Sequence, residues 1–386
     1  MQRIHYPQMR VGFDVRPFLK EETGVGIYFK NLLFALSKID QENEYYLFSS
    51  SWKDRFDPRK VPPFAHKRFR DFRYPVRMVN FLWNKLGWPS MDLFFKTSLD
   101  LVHSPTPLVL PSRGKKIVTV YDLCFLEYPH LSDDESRHVF SPRIEQSLHR
   151  ADSVISISHF SQEQILKRFS VDKDKVHVTH LGIDHDFWRE VAPEETERVK
   201  SKFNLPSSYL LFVGAQEPRK NIGNLIEALK IVHSQYGRIP LVLAGREGKD
   251  SANILERIEA YDLKQWVHMT GYLNDFELRN IYRLATALIF PSLCEGFGLP
   301  LLEAMASGIP IIASHAPALP EICQDAALYF DPEQPEDMAE VILRVLRDAD
   351  LREDLVKRGE KRVLDFSWES TAEQTLSIYR SLVGVP

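Results

Sequence analysis

The chain has 386 residues, 44% of them hydrophobic and 26% charged, and a formal net charge of −4. This length suits two domains of ordinary size, and the charge argues against bulk nucleic-acid binding. The three cysteines are too few for a disulfide framework or a metal cluster, and no apolar run approaches the ~20 residues that span a membrane. We therefore expect a cytoplasmic protein of two domains that binds no nucleic acid.

The first half of the chain alternates short apolar runs with helical patterns. An amphipathic helix follows the first predicted strand and ends near Ser37, with Leu32, Leu33 and Leu36 on one face. Strand–helix alternation of this kind predicts a parallel sheet with helices on both faces. The apolar runs predict strands at 9–15, 45–48, 100–103, 116–121, 153–158 and 176–179.

Two glycines, Gly24 and Gly26, precede the first helix. A dinucleotide-binding fingerprint does not fit them, because Phe29 occupies the third glycine position and no acidic residue closes the next strand. Glycine at these positions either forms a simple turn or lets the backbone approach a phosphate or a sugar. The residues alone leave both interpretations open.

Residues 66–88, HKRFRDFRYPVRMVNFLWNKLGW, combine six Lys or Arg with six aromatic residues and one Asp. Basic groups interleaved with aromatic rings suit the headgroup region of an anionic membrane, and they also suit stacking on single-stranded nucleic acid. A surface helix with a buried aromatic face explains the pattern equally well. Among the functional interpretations we favour a peripheral membrane surface.

The fourth predicted strand ends in Tyr121, and Asp122 follows it. Ligands gather at the carboxyl ends of strands in parallel sheets, so Asp122 is a candidate polar contact. A carboxylate at this position equally suits a cap of the following turn.

The second half of the chain again alternates strands and helices, with strands predicted at 209–213, 240–244, 267–269, 287–290 and 310–313. Glycine ends several of these strands, as in Gly214, Gly245-Arg246 and Gly271-Tyr272-Leu273. Helices are predicted at 222–234, 335–347, 351–364 and 368–382. This order predicts a second parallel sheet with helices on both faces.

Two adjacent cations, Arg219 and Lys220, lie in the turn between the first strand and the first helix of this half. Such a pair neutralises a diphosphate and stabilises it further as its charge grows on bond cleavage. A pair of exposed cations on a turn is the alternative interpretation.

The sequence EGFGLPLLEAMASG, residues 295–308, follows the buried strand at 287–290. Pro300 suits a first helical turn and Gly308 suits the end of that helix. The start of a helix attracts anions, yet this segment carries the carboxylates Glu295 and Glu303. Carboxylates accept hydrogen bonds, for which sugar hydroxyls are natural donors. A nucleoside diphosphate sugar, with hydroxyls on both sides of its diphosphate, fits these features together.

The spacing of Glu295 and Glu303 around Gly296-Phe297-Gly298-Leu299-Pro300 resembles the signature of retaining glycosyltransferase family 4. The stretch VTVYDLCFLEYPHLSDDE resembles the mannosyltransferase-like branch of this family, which serves O-antigen and related polysaccharide synthesis, and RADSVISISHFSQEQI again resembles the family. The resemblance spans nearly the whole chain. It implies the GT-B fold, in which two doubly wound Rossmann-like α/β domains face each other across a cleft.

By this resemblance, residues 1–188 form the acceptor-side domain and 189–367 the nucleotide-sugar-binding domain, and the helix at 368–386 packs back on the first domain. The catalytic positions implied are Arg219, Lys220, Glu295 and Asp122. Many family members carry His where this chain has Tyr121, and some carry Arg where it has Ala215. The implied substrate contacts are Gly24, Gly26, Tyr121, Gly214, Gly245, Arg246, Tyr272, Leu273, Gly296, Phe297, Gly298, Leu299 and Glu303.

The resemblance implies a metal-independent, retaining hexosyltransferase that uses no cofactor besides its donor. We expect it to move mannose, from GDP-mannose, to a hydroxyl of a glycan or lipid-linked acceptor in lipopolysaccharide O-antigen or related synthesis. Residues 66–88 would contact the inner face of the plasma membrane. A nucleotide-sugar epimerase of the same architecture and a non-catalytic sugar-nucleotide or membrane-binding scaffold are the alternatives.

Overall fold

The computed structural model describes residues 8–19, 24–132, 136–189 and 191–384. The chain forms two compact units. The first consists of Met1–Leu126, Asp133–Gly182 and Trp368–Pro386, and the second of Glu127–Ser132 and Ile183–Ser367. Parts of the predicted domain ranges, namely 1–7, 20–23, 133–135, 190 and 385–386, lie outside the described residues.

Short strands alternate with helices throughout the described chain. The strands are β1 (Arg10–Asp14), β2 (Glu44–Ser50), β3 (His66–Phe72), β4 (Leu101–Ser104), β5 (Lys115–Val120), β6 (Ser153–Ser156), β7 (Val176–Val178), β8 (Leu210–Val213), β9 (Leu241–Ala244), β10 (Val267–Gly271), β11 (Ala287–Phe290), β12 (Ile311–Ser314) and β13 (Ala327–Phe330). The helices are α1 (Gly24–Ile39), α2 (Val76–Leu86), α3 (Met91–Phe95), α4 (Cys124–Glu127), α5 (Ile144–Arg150), α6 (His159–Arg168), α7 (His185–Arg189), α8 (Pro193–Lys202), α9 (Ile222–Gln235), α10 (Ser251–Ala260), α11 (Asp275–Leu284), α12 (Leu299–Ser307), α13 (Ala318–Cys323), α14 (Pro335–Arg347), α15 (Ala349–Arg362) and α16 (Trp368–Val383).

The first unit is built on a parallel sheet. Among its described residues the sheet has seven strands in the order β3-β2-β1-β4-β5-β6-β7. The inner strands β4 and β6 are buried at every position, as expected for a sheet covered on both faces. Aromatic rings fill part of the interior, where Phe13 lies against Phe29, Tyr45 and Tyr379.

The helix α16 joins the first unit through buried polar contacts. His103 on β4 pairs through Nδ1 with the Tyr379 hydroxyl at 2.6 Å and through Nε2 with the Thr119 hydroxyl at 2.8 Å. Burial lowers the pKa of His103 to about 3, so the ring is neutral and offers one donor and one acceptor. At the start of α16, the Thr371 hydroxyl donates to the His180 carbonyl at 2.7 Å. Specific hydrogen bonds therefore hold α16, which begins at Trp368, in the first unit.

The second unit is built on another parallel sheet, with six strands among its described residues in the order β10-β9-β8-β11-β12-β13. Every residue of β8, β9, β11 and β12 is buried, which explains their continuous apolar sequences. The sheet order places β8 and β11 side by side at its centre. Two parallel sheets with flanking helices are the doubly wound α/β architecture predicted.

The boundary between the units differs from the prediction. The N-terminal part of the first unit ends at Gly182 rather than at 188, and Glu127–Ser132 is grouped with the second unit. Ile183 forms a parallel bridge with Ser367, and the buried Trp188 on α7 packs edge-on against Tyr282 of the second unit, with ring centroids 5.4 Å apart. These contacts attach α7 to the second unit, because its apolar residues are buried there.

Residues 66–88 form two elements rather than one helix. Residues 66–72 are the edge strand β3, and α2 follows, ending at Gly87 in the left-handed conformation (φ 60°). On α2, Val79 and Trp83 are buried whereas Phe81 is 60% exposed. The helix thus buries one aromatic residue and exposes another. Within the described ranges, no helix combines the length and apolar character needed to cross a bilayer.

Candidate active site

The residues predicted to bind the donor in the second unit follow the ends of neighbouring parallel strands. Since parallel strands share one carboxyl edge, the turns after β8, β9, β10 and β11 all lie at that edge. Gly214 donates to the Ala244 carbonyl at 2.9 Å, and Gly245 donates to the Gly271 carbonyl at 3.1 Å. At Gly245, where φ is +150°, a Cβ atom would lie 2.0 Å from the Gly214 carbonyl oxygen. Glycine is therefore required for these two turns to approach each other.

Three further predicted substrate contacts lie in these turns, and their side chains differ in exposure. Tyr272 is 51% exposed and Arg246 is exposed, so both side chains can meet a ligand. Leu273 is buried and contributes to the interior of the unit. Its predicted contact can therefore apply only to its backbone.

The loop after β11 runs into α12 as predicted. Gly298 precedes the helix with φ +100°, Pro300 occupies its first turn, and Gly308 ends it with φ +69°. Gly296 is buried in the loop, whereas Leu299 is half-buried. The Phe297 ring is buried against Phe366, with centroids 5.9 Å apart. As for Leu273, the predicted substrate contact of Phe297 can apply only to its backbone, and it stays a prediction.

Arg219, Lys220 and Glu295 come together into one charged cluster. Glu295 Oε1 lies 2.5 Å from Lys220 Nζ and 3.0 Å from Arg219 Nη1. The Leu293 amide donates to the Arg219 carbonyl at 2.8 Å, which fixes the two loops against each other. Lys220 Nζ also lies 5.0 Å from the centre of the Phe290 ring at the end of β11. The cations predicted from one strand–helix turn thus meet the carboxylate predicted from another.

The electrostatics of the cluster are set by its two cations. Glu295 and Lys220 are buried, while the Arg219 side chain is 32% exposed. Burial alone raises the pKa of Glu295, but the charges of Arg219 and Lys220 outweigh it and lower that pKa to about 2. Glu295 is therefore a carboxylate at any physiological pH, and its charge keeps Lys220 paired inside the protein.

Glu303 has a different environment. It lies one turn into α12, is half-buried, and accepts a 2.8 Å hydrogen bond on Oε2 from the Tyr282 hydroxyl. Burial raises the pKa of Glu303 to about 7, the Tyr282 hydrogen bond opposes this rise, and the charge of Asp275 adds to it. Arg219 and Lys220 thus both contact Glu295, whereas Glu303 has a separate partner.

Tyr282 was not predicted from the sequence. It lies on α11, 21 residues before Glu303, and outside the motif. A tyrosine on the apolar face of an amphipathic helix resembles any core residue, so no signal marked it. The hydrogen bond to Glu303 becomes visible only in three dimensions.

In the first unit, the predicted site residues Tyr121 and Asp122 form hydrogen bonds with neighbouring parts of the protein. The Tyr121 hydroxyl donates to the Pro105 carbonyl at 2.9 Å, and its ring packs edge-on against Tyr28. Asp122 Oδ1 accepts from the Cys124 amide at 2.9 Å, which is the capping interaction weighed as an alternative. The contact of either residue with a sugar stays a prediction.

Gly24 and Gly26 are not loop residues, because α1 already begins at Gly24. A Cβ atom at Gly24 would meet no atom within 4 Å, so the fold itself does not require glycine there. Gly26 is buried in the first turn of α1. The close approach of a ligand to these glycines stays a prediction.

Known proteins resemble the chain along nearly its full length. Residues 23–187 match the model of Glycosyltransferase Family 4, and residues 193–362 match that of Glycosyl transferases group 1. The O-antigen chain mannosyltransferase B of Escherichia coli is 28% identical over 387 residues, which cover 97% of this chain and 100% of that protein. An uncharacterized glycosyltransferase of Methanocaldococcus jannaschii is 30% identical over 338 residues, 83% of each chain.

Among solved structures, sucrose-phosphate synthase from Thermosynechococcus elongatus superposes with a TM-score of 0.76, covering 98% of this chain and 100% of that one at 22% identity. This likeness shows the fold, which is that of the GT-B glycosyltransferases. The chain belongs to the family of glycosyltransferases that join a family 4 domain to a group 1 domain. It is therefore an enzyme of sugar transfer, as its motifs predict.

Proposed function

We propose that the enzyme transfers mannose from a nucleoside diphosphate sugar, GDP-mannose, to a hydroxyl of a glycan or lipid-linked acceptor in cell-surface polysaccharide synthesis. The cluster of Arg219, Lys220 and Glu295 carries the proposal, because it combines cations for a diphosphate with a carboxylate for sugar hydroxyls. The choice of mannose draws support from the full-length match to an O-antigen chain mannosyltransferase.

In this proposal each charged residue has one role. Arg219 and Lys220 bind the diphosphate and stabilise the charge that develops as it leaves. Glu295 accepts hydrogen bonds from hydroxyls of the transferred hexose, and Glu303 accepts them from the ribose. Positioning and electrostatic stabilisation then supply the catalysis.

The transfer retains the configuration at the anomeric carbon. The bond from this carbon to the departing phosphate oxygen breaks, and the acceptor oxygen forms its new bond on the same face. The acceptor proton passes to the departing phosphate, so no protein base is needed. A bound metal is not needed either, because the two side-chain cations supply the positive charge at the diphosphate.

The test is to incubate the enzyme with GDP-mannose and a mannose-terminated glycolipid, and to follow the anomeric signals by NMR. We expect a new mannoside with the anomeric configuration of the donor, formed equally well in EDTA. UDP- and dTDP-sugars serve as competing donors. Conversion of the donor to another sugar nucleotide without acceptor would identify an epimerase instead, and loss of turnover in EDTA would refute metal independence.

We also propose that β3 and α2 contact an anionic membrane from the cytoplasmic side. The support is an exposed surface on which Tyr74, Met78, Phe81, Leu86 and Trp88 are between 42% and 66% exposed. The neighbouring cations Lys67, Arg68, Arg70, Arg73, Arg77 and Lys85 are exposed as well. Exposed aromatic and aliphatic groups among cations complement the headgroup region of an anionic bilayer.

Liposome flotation tests this proposal. Arg68 lies over the Tyr46 ring and Arg70 donates to the Phe94 carbonyl, so charge reversal there would also perturb the fold. The variant Arg73→Glu/Arg77→Glu avoids those contacts, and Lys264→Glu/Lys361→Glu on the second unit is a control with the same change in charge. We expect only the first variant to lose binding to phosphatidylglycerol-containing vesicles. Equal binding by both variants would refute the proposal.

A further inference from the structure

The side chain of Tyr282 contacts Glu303 and is enclosed by neighbouring residues. It is fully buried on α11, and its ring packs edge-on against the buried Trp188 with centroids 5.4 Å apart. Its hydroxyl lies 2.8 Å from Glu303 Oε2 and 3.3 Å from the Pro300 carbonyl in the first turn of α12. A ring enclosed in this way has one position, so its hydroxyl reaches the carboxyl group from a fixed direction.

The hydroxyl acts as the donor in this contact. Burial and the charge of Glu303 raise the pKa of Tyr282 well above its ordinary value, so it stays protonated. Among the described residues, Glu303 Oε1 accepts no hydrogen bond. Oε1 is also not among the fully buried side-chain oxygens without a hydrogen-bond partner in the described residues, so it keeps some access to a ligand. One oxygen is thus held by the protein and the other is left for a hydroxyl donor.

We infer that Tyr282 is a positioning residue for the donor site, which holds Glu303 through Oε2 so that Oε1 accepts a hydrogen bond from a ribose hydroxyl of the nucleotide. This inference rests on the proposed function, because it takes the ribose as the ligand of Glu303. Tyr282 itself touches no substrate. Its effect is to fix the carboxyl group before the nucleotide arrives, which lowers the entropic cost of binding.

The helix α11 links this contact to two of the predicted substrate contacts. It begins directly after Tyr272 and Leu273, with a capping box in which Asn274 and Glu277 satisfy each other's backbone amides. Glu277 is anchored in turn by Lys202 at 2.5 Å. The far end of the same helix carries Tyr282. One helix therefore connects the predicted substrate contacts after β10 to the carboxylate proposed to bind the ribose.

The test removes only the hydroxyl. Tyr282→Phe keeps the ring and its packing on Trp188, and nucleotide binding is measured by calorimetry with GDP and with 2′,3′-dideoxy-GDP. We expect the variant to bind GDP about tenfold more weakly, the loss typical of one charge-assisted hydrogen bond, and to bind the dideoxy analogue as the wild type does. In turnover, the donor KM rises about tenfold while kcat changes less than about twofold, since binding is lost equally in ground and transition states.

Tyr209→Phe is a matched control. Tyr209 is also fully buried in the second unit, and its hydroxyl donates to the Ile281 carbonyl at 2.7 Å, one residue from Tyr282. Its loss removes a buried hydroxyl without touching Glu303, so we expect no selective loss of GDP binding. The double variant Tyr282→Phe/Glu303→Ala should bind GDP no more weakly than Glu303→Ala alone, because the two residues act on one hydrogen bond.

The outcomes separate the inference from the proposed function. Equal weakening of GDP and its dideoxy analogue in Tyr282→Phe would mean that the hydroxyl only supports the fold, and unchanged GDP binding would mean that it does not position Glu303. Either result overturns the inference and leaves the proposed function intact. If the wild type binds no GDP, UDP or dTDP, the proposed donor site itself is wrong.

Discussion

The two glutamates of the EGFGLPLLE motif lie eight positions apart and have opposite electrostatic environments. Glu295 meets two cations, which lower its pKa to about 2, whereas Glu303 meets a tyrosine in a buried setting that raises its pKa to about 7. Lys220 and Arg219 lie 75 and 76 positions before Glu295 in the chain, and Tyr282 lies 21 positions before Glu303. A residue's charge state is thus decided by its spatial neighbours rather than by its motif.

The largest loss of activity is expected when the ion pair between Lys220 and Glu295 is broken. Lys220→Ala removes the 2.5 Å partner of Glu295 and the cation proposed to stabilise the leaving diphosphate. We expect kcat to fall by roughly 10²- to 10³-fold, and the pKa of Glu295 to rise because one of its two cations is gone. Steady-state kinetics with GDP-mannose measures the first effect.

Lys230→Ala is the control, since Lys230 lies over the Tyr261 ring of the same unit, away from the cluster. It should leave kcat unchanged. Arg219→Ala should reduce turnover less than Lys220→Ala, because the Arg219 side chain is more exposed and its contact with Glu295 is longer. Full activity of Lys220→Ala would contradict the role given to the cluster.

Glu295 and Glu303 should make the free energy of unfolding depend on pH in opposite directions. The pKa of Glu295 is lowered from an ordinary 4.5, so its contribution to stability is present above that value and is lost as the pH falls toward 2. The pKa of Glu303 is raised from 4.5, so its contribution is present below 4.5 and is lost as the pH rises through about 7. Each sign follows from which protonation state the fold prefers.

Glutamine substitutions test these signs. At neutral pH, Glu295→Gln should lower the free energy of unfolding by roughly 3–5 kcal/mol, because Lys220 then stays buried without its counter-charge. Glu303→Gln should instead stabilise the fold at about pH 8, by about 1 kcal/mol. Thermal midpoints recorded from about pH 3 to about pH 8 measure both effects. Parallel pH profiles for the two variants would show that the environments do not differ as described.

The smallest effect is expected from Asn274→Ala, which removes the capping box of α11. We expect a loss of about 1 kcal/mol, with a modest rise in the donor KM because α11 carries Tyr282. The acid dependence due to Glu295 should not change. Asp348→Ala, which removes the cap of α15 at 2.9 Å from the Leu351 amide, is the control with a similar stability loss and an unchanged KM. Equal KM values for both variants would argue against the link through α11.

The sequence predicted the fold well where apolar runs are continuous. The runs at 209–213 and 287–290 became β8 and β11, because strands covered on both faces need apolar residues throughout. The edge strand β3 was missed, since its residues are exposed or half-buried and strongly basic. The edge strand β13 was not predicted either, because it is short, with three residues between it and α13 and four between it and α14, and its two middle residues are only half-buried. These two edge strands lack the buried apolar pattern on which such predictions depend, whereas the edge strands β7 and β10 were predicted at 176–179 and 267–269.

The candidate site was predictable only in part. The motif located Glu295 and Glu303 on the loop and helix after β11, and the turn after β8 located Arg219 and Lys220. No spacing in the sequence indicated that both cations would meet the same oxygen of Glu295, because that contact depends on how β8 and β11 pair in the sheet. Tyr282 could not be predicted, since a hydroxyl that bonds a carboxylate across two helices leaves no local pattern.

The return of α16 to the first unit has a consequence for biosynthesis. The seven described strands of that unit have been translated by residue 178, but Tyr379, the partner of the buried His103, follows about 200 residues later. At roughly 5–20 residues per second, the ribosome needs on the order of 10–40 s to deliver it. During that interval, the nascent first unit lacks the helix that completes it. A defect in α16 would therefore reduce the yield of newly made enzyme before it affected any catalytic step.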